Sequence, residues 1–146
     1  ALHSDAARDP LAQGGADLAD IPPDISGIAT IGEREALQIL LCSHHDDWDV
    51  QADTEVTVHI SGLEPGRRYE VYGSAVDHDQ ANAHTAWVRM GRPQPPDDKQ
   101  LGVLHEASRL RHTKLFERPV NDGCVSFPVI LRAHGVYLLE LVPLPG

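Results

Sequence analysis

Thr54-Glu55-Val56-Thr57-Val58-His59-Ile60-Ser61 is the stretch that decides the fold. Val56, Val58 and Ile60 point one way, and Thr57, His59 and Ser61 the other. Strict period-two alternation marks a strand with one buried face. Gly62 to Gly66 follows as a turn with two glycines and a proline. Arg67 to Val76 then resumes as a strand, with Tyr69, Val71 and Gly73 alternating against Tyr72 and Ser74. Two strands around a short turn predict a β-hairpin.

Similar signals extend in both directions. Upstream, Ile25 to Ile31 reads as a short strand. Ala36 to Ser43 is a nearly continuous apolar run, whose length suits a strand buried on both faces. Downstream, His112 to Glu117, Gly123 to Leu131 and Gly135 to Val142 read as three more strands. Asn121-Asp122-Gly123 and Ala133-His134-Gly135 supply turns between them. Pro128 marks its strand as an edge or a bulge. Some seven short strands with frequent turns predict an all-β fold, an antiparallel β-sandwich of immunoglobulin or fibronectin type. Residues 1–24, rich in Ala, Asp, Gly and Pro, read as an irregular linker or wrap ahead of a sandwich domain over 25–146.

One excursion, about 77–110, interrupts the strands. Its first part is polar, and Gly91 to Pro96 is stiff and extended. Asp97 with Gln100 has the spacing of a capping box. A short helix is therefore expected from Asp98 to about Ser108, weakened by Gly102 at a cost of about 1 kcal/mol.

Length and composition bound the rest. A chain of 146 residues makes one domain and buries roughly two thirds of its unfolded surface. Twelve basic against 22 acidic residues leave a net charge of −10. Nucleic-acid and anionic-membrane partners, which need concentrated Lys and Arg, are excluded as expectations. No apolar run approaches the ~18 residues of a membrane span. No secretion signal is visible, which favours the cytoplasm, and a start at Ala1 hints at something removed upstream. Cys42 and Cys124 allow one bridge or none, and buried small hydrophobes are the favoured reading.

Chemistry-bearing clusters are few. His44, His45, Asp46, Asp47 and Asp49 are dense in metal-capable groups. Adjacent strand-end histidines point to opposite faces, however, so a polar turn is favoured over a metal site. Asp77, His78, Asp79 and His84 form a second cluster in the long excursion. Trp87, with Arg89 near it, could stack on a sugar, and Trp48 shares that ambiguity. Asp77, His78, His84, Trp87 and Arg89 are the candidate contact residues. There is no G-x-S-x-G, no phosphate-binding glycine loop and no C-x-x-C. No catalytic residue, metal or cofactor is assigned.

Taken together, several segments resemble the C-terminal β-sandwich region of family 39 glycoside hydrolases, the β-xylosidases and α-L-iduronidases. Ile25 to Thr30, Leu40 to Asp47 and Gly135 to Leu141 carry part of the likeness. The most specific part is Asp77 to Pro96, DHDQANAHTAWVRMGRPQPP, with its Asn-Ala, Thr, Trp, Met-Gly and Pro-x-Pro-Pro at fixed offsets. The likeness runs from about Ala6 to Pro143. Gln80 or Ala81 stands where family members usually carry Ser, and His84 where they carry Tyr. Gly73 and Ser74 replace bulkier strand residues.

The resemblance implies a module. In the family a (β/α)8 barrel of roughly 250 residues holds two glutamates about 5 Å apart, one in an Asn-Glu pair. This chain has no Asn-Glu and is too short for a barrel. The resemblance therefore implies an accessory sandwich, inactive alone, that packs on a catalytic barrel in cis or in trans and shapes its cleft. The implied partners are that barrel and xylose-type saccharides. A stand-alone carbohydrate-binding or protein-interaction module is the alternative.

Overall fold

The computed structural model describes residues 22–145. The expected linker over 1–24 falls almost wholly outside them. Seven strands are present among the described residues: β1 (Asp24–Ile31), β2 (Leu37–His44), β3 (Asp53–Ser61), β4 (Arg68–Val76), β5 (Thr113–Pro119), β6 (Cys124–Arg132) and β7 (Val136–Pro143). Two helices, α1 (Ala83–Arg89) and α2 (Asp98–Ala107), lie between β4 and β5. The strands form a five-stranded sheet in the order β1-β2-β7-β4-β5 and a two-stranded sheet, β3-β6. Every pairing is antiparallel. The result is an all-β sandwich, as the alternation predicts.

The core lies between the two sheets. Ile39 and Leu41 of β2, Tyr69 and Val71 of β4, and Tyr137, Leu139 and Leu141 of β7 face it from one side. Val58, Val125, Phe127 and Leu131 face it from the other. Phe127 meets Phe116 of β5 edge to face, ring centroids 5.2 Å apart at 68°. That geometry puts the positive ring edge on the negative face.

Two expectations are corrected. The TEVTVHIS strand and its successor do not form a hairpin. β3 pairs with β6, whereas β4 sits between β7 and β5 in the other sheet. Alternation identifies a strand and its buried face but not its partner, and the 62–67 loop carries the chain across the core. The links β5–β6 and β6–β7 cross in the same way. Ala36 to Ser43 is not buried on both faces either. Ile39, Leu41 and Ser43 are buried, while Leu40 and His44 are exposed on the outer face. The run is central in its sheet, flanked by β1 and β7, so apolar residues fill even its outer side.

Pro128 fits its edge reading. β6 pairs through one side only, with Thr57 opposite Pro128. Cys42 and Cys124 are both free and half-buried. At the β6–β7 turn, a Cβ on Gly135 would stand 2.6 Å from the Tyr137 ring and 2.9 Å from the Arg132 carbonyl oxygen. Only glycine lets the turn close against that ring.

Candidate functional site

The register fixes one end of the sandwich. Val136 at the start of β7 lies opposite both Cys42 near the end of β2 and Val76 at the end of β4. The 45–52 loop, the 133–135 turn and the excursion after β4 therefore share this end. The excursion is an insert in the β4–β5 hairpin, since Gly73 already faces Thr113.

Asp77 starts the excursion and is buried. Its Oδ1 accepts from the backbone N–H of Asp79 and of Gln80, each at 2.8 Å. Its Oδ2 accepts from Gln80 Nε2 at 3.1 Å and from the Tyr137 hydroxyl at 3.0 Å. Its carbonyl accepts from Asn82 Nδ2 at 2.9 Å. A carboxylate with four donors is a loop organiser with no acceptor left over for a ligand. The Tyr137 oxygen in turn accepts from the Arg132 backbone N–H at 2.7 Å. Burial, followed by the Asp77 carboxylate, pushes the Tyr137 phenol up to about 12.

Asn82 then caps α1, its side chain accepting from Thr85 N–H at 3.1 Å. This helix is a structural element that sequence reasoning missed. Seven residues give too short a window for a helical period, though Asn82 followed by Thr85 is a usable cap signal. Trp87 is half-buried on α1 and its Nε1 donates to the Pro93 carbonyl at 3.1 Å. His84, exposed one turn earlier, lies 5.8 Å from its ring. His78 is exposed in the entry loop. Arg89 binds Asp79, which also binds Arg132 of β6. Both guanidiniums hold the Asp79 carboxyl below the usual aspartate range, first through their hydrogen bonds.

The five candidates thus divide. Asp77 organises the loop from within, Arg89 ties α1 to the sandwich, and His78, His84 and one side of Trp87 face outward. The Asp79 linkage carries a sign. A depressed carboxylate contributes stability above its unfolded pKa and loses it as pH falls through the folded one. Protection of the α1 amides, taken relative to their intrinsic exchange rates, is expected to fall only as the pH drops below the ordinary aspartate value. Asp79→Asn should give that low protection, seen as fast exchange, at neutral pH. Slow, unchanged exchange in the variant would sink the anchoring role.

The expected helix is present as α2, and its capping box is complete. Asp97 Oδ1 accepts from Gln100 N–H and Gln100 Oε1 from Asp97 N–H, both at 2.8 Å. α2 packs on α1 and buries none of its own residues. Leu101, Val103 and, just past its end, Leu110 are exposed. An open cleft of about 250 Å³ lies between its C-terminal end and the entry loop, lined by Ala75, Asp79, Gln80, Ala81, Glu106, Ala107, Arg109 and Arg111. Glu106 pairs with both arginines, which neutralises part of that lining.

Among the described residues no group of three or more His, Cys, Asp or Glu could hold a metal. In the His-Asp run, His44 is exposed and His45 buried, as strand alternation requires. His45 Nδ1 accepts from Asp47 N–H at 2.9 Å, so the run is a hydrogen-bonded turn. Two glutamates do face one another, Glu70 and Glu117, across the β4–β5 ladder. Lys114 Nζ donates to both, at 2.7 and 2.8 Å. That ammonium holds both carboxyls below their ordinary range, so neither keeps the proton a general acid needs near neutral pH.

A family model described as "Glycosyl hydrolases family 39" matches residues 16–123. A β-xylosidase of Caldicellulosiruptor saccharolyticus is 32% identical over 126 residues, which is 86% of this chain and 25% of that protein. The GH39 enzyme from Xanthomonas axonopodis pv. citri shares the fold with a TM-score of 0.68 at 19% identity, over 81% of this chain and 26% of that one. A monomeric β-xylosidase from Caulobacter crescentus CB15 does so with 0.67 at 23% identity, over 80% and 26%. The chain spans about a quarter of the length of these relatives. Its matched residues run through β1 to β5 and the whole excursion, and the chain belongs to glycosyl hydrolases family 39.

Proposed function

We propose that this chain is the accessory sandwich of a β-xylosidase-like retaining hydrolase. It packs on a catalytic barrel that lies outside these 146 residues, and its excursion forms part of the cleft wall. The observation that carries the reading is α2. Beyond its contact with α1, α2 buries none of its residues and leaves Leu101, Val103 and, just past its end, Leu110 in water. Membership of a hydrolase family, at a quarter of a relative's length, supports a barrel as the missing surface. The chain itself supplies packing and shape. Its facing glutamates are locked by Lys114, so the reaction belongs to the barrel's own carboxylates.

Val103→Glu with Leu110→Glu tests this contact. Both side chains are exposed, so the unfolding midpoint of the isolated chain should stay unchanged. In a full-length enzyme carrying this module, the midpoint and the rate on 4-nitrophenyl β-xyloside should both fall. An unaltered full-length enzyme would show that the excursion touches no barrel.

A further inference from the structure

The excursion end carries a second feature, which neither the loop anchoring nor the α2 contact uses. Trp48 is 76% exposed. Its ring lies nearly parallel to that of His134 on the 133–135 turn, centroids 4.8 Å apart at 17°. The imidazole covers one face of the indole, so the exposure belongs to the other face and the edge.

The backing is fixed from several sides. His134 Nε2 donates to the Asp47 carbonyl at 3.1 Å. The N–H of the same residue donates to His45 Nδ1, and His45 is only 4% exposed. The rings of His44 and His45 meet His134 edge-on, at 6.3 and 6.4 Å. A large flat ring stacked on a fixed backing, with one face open, is a poor element of a fold and a good platform. It costs little ordering entropy when a ligand lands on it.

We infer that Trp48, backed by His134, is a stacking platform for a neutral pyranose chain. The C–H face of a pyranose ring matches an open indole face in size and polarity. Asp46 and Asp49 flank Trp48 in the chain and are exposed, so their carboxylates can accept from ring hydroxyls. Asp47 is spent on the turn, its Oδ1 accepting from Asp49 N–H at 2.9 Å. The same three carboxylates, in a chain of net charge −10, repel uronates and sulfated sugars. Neutral pyranose chains are therefore the ligand class. Trp87 does not compete for this role, because it is half-buried with its N–H committed to Pro93. The inference rests on family membership and on this geometry, and does not require a barrel contact.

Calorimetric titration of the chain with xylohexaose tests it. Saturable binding with half-saturation in the millimolar range is expected. It should be lost in Trp48→Ala and kept in Ile130→Ala, which removes another exposed apolar side chain, from the outer face of the two-stranded sheet. A galacturonate hexamer should bind at least tenfold more weakly, on the like-charge argument. Unchanged unfolding midpoints in both variants would show that the loss is local, since both side chains are exposed. No saturable heat, binding that survives Trp48→Ala, or equal affinity for the uronate would each overturn the proposal. None of these outcomes depends on the α2 contact.

Discussion

Replacing Phe127 by alanine is expected to destabilise the chain by about 3–5 kcal/mol. The side chain is 2% exposed, and it links the sheets through its edge-to-face contact with Phe116. The two-stranded sheet presents only β3 and β6 to the core, so few neighbours can collapse into the space left behind. Urea unfolding at neutral pH measures the effect as a lower midpoint at nearly constant slope. A loss below about 1 kcal/mol would mean that the two sheets are not held together at this point. The same substitution should leave binding at Trp48 intact under conditions where the variant is still folded, since Phe127 lies inside the sandwich.

The second large effect is expected at Asp77. Alanine there strands the Tyr137 hydroxyl and removes the acceptor for two backbone N–H groups, at a cost of about 2–4 kcal/mol. Asparagine keeps one oxygen for the two N–H groups and should cost about 1 kcal/mol. Thermal unfolding of the pair separates two roles for this residue. A structural Asp77 gives the large Ala effect and the small Asn effect, and Asp77→Asn still binds xylohexaose. A ligand-contacting Asp77 would give small stability effects in both variants and lost binding in both. The buried carboxylate, with its four donors, predicts the first pattern.

Much of this architecture was readable from side-chain periodicity. Val56, Val58 and Ile60 announce a buried face, and Asp97 with Gln100 announces the start of α2. What alternation does not encode is partnership. TEVTVHIS carries no mark that it pairs with β6 across the core and not with its neighbour β4, because the pairing depends on contacts remote in sequence. α1 escaped because seven residues show no helical period and its cap is a single Asn. The polar excursion residues stand out in the sequence as a group, but their division depends on the fold. Asp77 and His78 are adjacent and similarly polar, yet the first is buried by Tyr137, sixty residues away, and the second is not. Trp48 and Trp87 were equally ambiguous for the same reason. Only the turn that brings His134 behind Trp48 tells them apart.

Native immunopurification with an antibody against this chain, followed by peptide mapping of what it brings down, tests the central claim most directly. The account predicts a (β/α)8 barrel bearing an Asn-Glu pair and a second glutamate, either in the same polypeptide or bound to it stoichiometrically. A 15.9 kDa chain recovered from its native source with no barrel attached would contradict it.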